Sequence, residues 1–268
     1  SALALNAPTN APPVNPIEFF SFSLSQEAEA EAVARRMLDE GHQRTILLRV
    51  DNGWGERTET AFVNEYLVGG GEIVAIERFS AADADHSEKL TRLLQIEDGR
   101  ERRRRLQSAL NLPLEFEDSR RDDFGAFFMA ADPPLGRQLK PQLRFFDAGG
   151  KPVFAMSRIF AGKIDPNADI DLNGIQIPST RLALQAASED SPQLASLRGG
   201  TFGPLYALGR DAWNVLPWLD LLNQDRGFTF PGLTGDLLMG EELRLQREPV
   251  WAVFRAGRPT ALQTSPLN

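Results

Sequence analysis

The chain has 268 residues, 42% of them hydrophobic and 25% charged, enough apolar material for a packed core in one large domain or two lobes. Its 29 Lys plus Arg against 37 Asp plus Glu give a net charge of −8, which argues against binding to a nucleic-acid backbone. Cysteine is absent and histidine is limited to His42 and His86, so disulfides, thiolate metal sites and cysteine nucleophiles are excluded, and a His-based triad or three-His zinc site lacks its material.

Residues 1–16, with Pro8, Pro12, Pro13 and Pro16, read as an extended linker, and no basic stretch followed by an apolar one marks a leader peptide. Phe19 to Phe22 is a short aromatic strand. Ser23 and Gln26 have capping-box spacing, which predicts a helix to Glu40 with Gly41 just beyond it and Ala30, Val33, Ala34, Met37 and Leu38 inward. Thr45 to Val50 is an apolar strand, followed by the turn Asp51-Asn52-Gly53-Trp54-Gly55 and a helix from Glu56 to Val68 that Gly69, Gly70 and Gly71 stop. Glu72 to Phe79 is the next strand, and two leucine-spaced helices fill Ser87 to Asn111. Phe124 to Ala131 is a buried strand, Leu135, Leu139 and Leu143 mark a helix, and Pro152 to Met156 is a further strand.

Strands alternating with helices through short connections predict an α/β fold with a parallel sheet covered on both faces. Right-handed crossovers then gather the loops after the strands along one sheet edge, here Asp51–Gly55, Asp132–Pro134 and Ser157–Ile159. In the first loop the glycines permit close approach and Trp54 offers a stacking face; the plainer reading is a tight turn with its aromatic packed over the sheet edge. No Gly-Lys-Ser/Thr or GxGxxG accompanies it, so a nucleotide site is poorly supported.

Asp169-Ile170-Asp171-Leu172-Asn173-Gly174 fits the first half of a calcium loop, but the twelfth position is Thr180 rather than Glu, so a structural turn is favoured over a metal site. The run Glu101 to Arg105, with Arg120 and Arg121, reads as a solvated face neutralised by nearby acids. Ser157 is not in a G-x-S-x-G elbow and has no histidine near it in sequence; with Arg158 it offers a hydroxyl and a guanidinium to a polar ligand or partner. Leu205, Leu208, Ala212, Val215, Leu219 and Leu222 form a helical core stripe that Pro217 should kink or restart.

Five segments, taken together and in order, resemble one family. They are Asp51 to Arg57 with the helix ending at Gly69-Gly70-Gly71, Arg120 to Phe128, Arg137 to Pro141, Asp171 to Ile175, and Leu205 to Ala212. The chain is similar through them to the LppC family of LpoA-type penicillin-binding protein activators. The resemblance implies a type I periplasmic-binding-protein-like fold: two Rossmann-like lobes with parallel sheets around a cleft, joined by three crossovers. It implies a periplasmic lipoprotein of the outer membrane that binds and activates a class A penicillin-binding protein by contact, promotes peptidoglycan synthesis and is not an enzyme. It implies no cofactor, no metal and no nucleic acid, and membrane attachment only through a lipid anchor that this chain does not contain.

On that resemblance, residues 1–16 are linker and the edge of the first lobe, 17–178 the second α/β lobe, 179–248 part of the first lobe, and 249–268 a return strand onto the second lobe and a tail. The first lobe is then incomplete, and the stripe from Leu205 to Leu222 is expected to pack on a segment outside this chain or to stand exposed. Asp51, Trp54, Gly55, Ser157 and Arg158 are the cleft or partner-binding candidates. The alternative function is a periplasmic receptor of the same fold for an amino acid, peptide or sugar. The cleft loops show no carboxylate-plus-ammonium clamp, which favours the regulator.

Overall fold

The structure is a computed structural model and describes residues 2–5, 19–96, 120–184 and 202–262. Two sheets organise it, one of seven strands and one of five. The larger contains β3 (Arg44–Val50), β4 (Glu72–Phe79), β5 (Ala126–Ala130), β6 (Val153–Ala155), β7 (Ile175–Ser179), β11 (Val250–Arg255) and β12 (Arg258–Ala261), in the order β12-β11-β7-β6-β5-β3-β4. From β7 to β4 every pairing is parallel, while β11 and β12 run antiparallel.

Two helix pairs cover this sheet: α1 (Gln26–Asp39) with α2 (Gly53–Val68), and α3 (Ser87–Leu93) with α4 (Pro133–Phe145). The central strands are apolar throughout because both their faces are covered; every residue of β5 is buried. Alternate residues of β5 serve opposite faces. The Phe62 ring of α2 stacks on Phe128 at 3.9 Å between centroids, and the neighbouring Phe127 meets Phe124 edge-on at 4.9 Å.

The smaller sheet runs β1 (Ala2–Leu5), β2 (Phe19–Phe22), β10 (Arg244–Glu248), β9 (Asp236–Met239), β8 (Phe230–Pro231), with β1, β2 and β10 parallel and the rest antiparallel. It is covered by α6 (Gly203–Val215) and α7 (Leu219–Gln224), and the short α5 (Arg181–Leu184) packs against α6. Phe20 and Phe22 of β2 form its core with Leu208, Val215, Leu219, Leu222, Leu237 and Leu245.

The structure corrects the expected map in particular places. The strand Phe19–Phe22, expected in the larger lobe, lies in the smaller sheet between β1 and β10. The stripe expected to lack a partner is buried against that sheet at Leu208, Ala212, Val215, Leu219 and Leu222; of the six, Leu205 alone stands out, at 56% exposure. The sheet that receives it is built from strands far apart in sequence, which local periodicity does not register. Pro217 restarts the helix as expected, through a 3-10 turn at Leu216–Trp218.

Helix ends shift for local reasons. The cap of α1 is Ser25, whose Oγ accepts from Ala28 N at 3.2 Å, not Ser23. α2 begins at Gly53 rather than Glu56, because Asn52 Oδ1 accepts from Gly55 N at 2.9 Å. Strands β5 and β6 are shorter than expected, Ala126–Ala130 and Val153–Ala155. Of the two helices expected in Ser87 to Asn111, α3 is the part described; the rest, with the run Glu101 to Arg105, lies outside the described residues.

Candidate functional site

The chain passes between the lobes at β2 to α1, at β7 to α5 and at β10 to β11. A crevice outside the carboxyl ends of parallel strands is where this class of sheet places its ligand-facing groups. At those ends stand the first turn of α2 after β3, the cap of α4 after β5, and the turn Ser157–Ile159 after β6.

The candidate residues take different parts. Trp54 is buried in the first turn of α2, and the exposed Arg158 lays its guanidinium over the indole, 4.8 Å from the ring centroid. Two loops far apart in sequence thus build one cation–π pair on the rim. Gly55 is a packing residue: a Cβ there would sit 2.1 Å from the Val50 carbonyl oxygen, so the helix can approach β3 only with glycine at this position. Asp51 is exposed and lies 3.6 Å from Arg49, whose buried guanidinium is chiefly committed to Glu59. Asp132 caps α4 by accepting from Leu135 N at 3.1 Å.

Ser157 is committed within the protein. Its backbone N–H donates to Glu29 Oε1 at 2.7 Å and its hydroxyl to Glu29 Oε2 at 2.9 Å. Glu29, in the first turn of α1, also receives Arg247 from β10 at 3.4 Å. Glu29 and Arg247 expose only 11% and 12% of their side chains. Arg247 donates further to the Thr234 carbonyl at 3.2 Å. Beside it Asp211 is buried on α6 and accepts from Leu233 N, Thr234 N and the Thr234 hydroxyl, all within 2.7 Å. Burial pulls the Arg247 guanidinium below its ordinary pKa, opposed by the Glu29 and Asp211 charges.

Sequence reasoning missed Glu29, Arg247 and Asp211. Two of them carried a signal. Arg247 follows the buried Leu245 by two residues in a strand, so it points to the same covered face. Asp211 sits within the apolar stripe between Leu208 and Ala212.

The calcium-like loop is a turn braced by its own chain. Asp169 is fully buried and receives Arg137 Nε at 3.0 Å and Nη2 at 2.7 Å on one oxygen, while Asn173 accepts from Gly257 N at 2.9 Å. Among the described residues no group of three or more His, Asp or Glu is placed to hold a metal. His86 is buried away from this site, with Nε2 3.2 Å from Gln138 and its backbone N–H donating to Gln142.

Two α/β lobes, each with parallel strands in its sheet, and three crossovers between them define a periplasmic-binding-protein-like fold. The chain belongs to the LppC family, described as "LppC putative lipoprotein", whose profile matches residues 1–257. It is 27% identical over 259 residues to the penicillin-binding protein activator LpoA of Photobacterium profundum, an alignment covering 94% of this chain and 41% of that protein. Among solved structures it resembles the C-domain of LpoA from Haemophilus influenzae, a regulator of PBP1A, at TM-score 0.73 and 23% identity, covering 97% of this chain and 73% of that one. It also resembles a "putative branched-chain amino acid ABC transporter" from Chromobacterium violaceum at TM-score 0.66 and 24% identity, covering 94% and 72%. The chain spans about two fifths of the length of the curated relatives it matches.

Proposed function

We propose that this chain is the binding-protein-like domain of a non-catalytic regulator that docks on a class A penicillin-binding protein and stimulates peptidoglycan synthesis. The protein would act in the periplasm, held at the outer membrane by a lipid anchor. The observation that carries this reading is the LppC match over residues 1–257, because the curated relatives aligned with it are named penicillin-binding protein activators. The cleft supports it. Its convergent polar groups bind one another: Ser157 and Arg247 are taken up by Glu29, and Asp211 by Leu233 and Thr234. A receptor for a small solute needs such groups turned toward the solute instead.

The Trp54–Arg158 pair is the proposed contact on the rim, with Asp51 beside it. An exposed guanidinium fixed over an aromatic ring is the kind of rigid anchor that protein partners use. Isothermal titration of the protein against amino acids, peptides and muropeptides tests the reading. Absence of heat with the small molecules, together with recovery of a class A synthase in a pull-down from periplasmic extract, is the expected outcome. Micromolar binding of an amino acid, with no synthase recovered, would replace the regulator by a receptor.

A further inference from the structure

We propose that the interlobe cleft holds a carboxylate-binding site and that Glu29 is its internal occupant, latching the two lobes together. The site has three donors: the Ser157 N–H, the Ser157 hydroxyl and the Arg247 guanidinium. Backbone N–H, hydroxyl and guanidinium converging on one carboxylate are what a protein uses to bind a carboxylate-bearing ligand. Here both oxygens are taken by a side chain of the same chain.

The donors belong to different lobes. Ser157 follows β6 of the larger sheet and Arg247 lies on β10 of the smaller one, while Glu29 projects from α1 of the larger lobe. The carboxylate therefore ties Arg247 to the opposite lobe. Arg247 is anchored on its own side by the Thr234 carbonyl, and Thr234 is held by Asp211. The chain of contacts α1–β10–α6 is thus continuous from one lobe into the helices that cover the other. Both ends of the ion pair are nearly nine-tenths buried, so removing Glu29 leaves a desolvated guanidinium without its ion-pair partner and with Asp211 alone to offset its charge.

Two consequences follow. The lobes keep their arrangement without an external ligand, and a carboxylate-bearing molecule competes with Glu29 for the site rather than filling an empty one. The occupant of this cleft is an internal carboxylate, so its chemistry does not depend on the identity of the protein partner.

The absence of cysteine makes the test direct, because a labelled pair can be introduced without background. Glu56→Cys on α2 and Asn214→Cys on α6 are exposed positions on the two lobes. Spin labels there report the interlobe distance by double electron–electron resonance. In the otherwise native protein the distribution is expected to be narrow and unmoved by sodium acetate. With Glu29→Ala it is expected to broaden, Tm to fall by several degrees, and acetate to narrow the distribution and restore part of the Tm. Adding Ser157→Gly to Glu29→Ala is expected to weaken the acetate effect. If Glu29→Ala fails to fold, Glu29→Gln, which retains the shape and one acceptor oxygen, is expected to show the same broadening in smaller degree. An unchanged distribution in the Glu29 variants, or an acetate response equal in native and variant proteins, would overturn the latch.

Discussion

Arg158 stands free of the core, with its guanidinium over the Trp54 ring. An exposed cation–π pair contributes about 0.5–1 kcal/mol, so Arg158→Ala should shift Tm by only a few degrees while weakening capture of the proposed synthase partner. A large drop in Tm in a thermal scan would instead make Arg158 a structural residue. Gly55→Ala is the opposite case. The added methyl meets the Val50 carbonyl at 2.1 Å, a backbone atom that cannot move aside, and overpacking of that kind costs about 1–3 kcal/mol in a urea titration. Arg137→Met strands the buried Asp169 carboxylate. The loss should be on the order of 2–3 kcal/mol, below the ~3–5 of a fully buried pair because Arg137 is 28% exposed. Calcium should leave the native Tm unchanged, since Asp169 and Asn173 are committed to Arg137 and Gly257; a saturable rise would contradict the turn. Trp54 and Arg158 were legible in the sequence because both follow strands that end at one edge. Glu29 was not, because one acid among several in Gln26–Asp39 carries no mark of which one turns inward.

The helix pair α6–α7 shows how one element can present two apolar faces. Leu208, Val215, Leu219 and Leu222 bury against the small sheet, while Phe202, Leu205, Trp213 and Leu216 lie in solvent on the adjoining arc. Leu222→Ala should therefore cost about 3 kcal/mol, whereas Trp213→Ser should stay within about 0.5 kcal/mol, both read by chemical denaturation. On α1, burial raises the Glu31 carboxyl above its ordinary pKa; Arg35 and Arg244 oppose this, and Glu65 and Glu27 add to it. The folded state thus holds that proton more tightly than the unfolded chain. The contribution is fully present below the unfolded value and is lost as pH rises through the folded one. Glu31→Gln should accordingly raise Tm at neutral pH, with the gain closing as pH falls through the carboxylate range. Elements were the most legible scale: the strand expected over Glu72 to Phe79 has those bounds in the structure. Boundaries slipped where a cap decided them, at Ser25 and Asn52, since Ser, Asn and Asp cluster there and their pattern does not say which side chain turns back onto the helix.

Each lobe draws on strands distant in the chain, and that is where sequence reasoning fell short. Phe22 pairs with Leu245 across more than two hundred residues, a register set by the packing of Phe20, Phe22 and Leu245 beneath α6 and not by any neighbour of Phe19. The alternation of strands and helices nevertheless specified the larger sheet, because a parallel sheet covered on both faces needs continuous apolar strands such as β3 and β5. The resulting molecule has a cleft bridged by its own charges and a rim that carries an aromatic–cation pair. That combination suits a protein that acts through its outer surface. The most direct measurement is the rate of peptidoglycan cross-linking by a purified class A penicillin-binding protein, with and without the full-length lipoprotein. A regulator that docks through its rim should give a saturable acceleration that Arg158→Ala weakens and Glu31→Gln leaves unchanged. A rate indifferent to the lipoprotein at saturating concentration would contradict it.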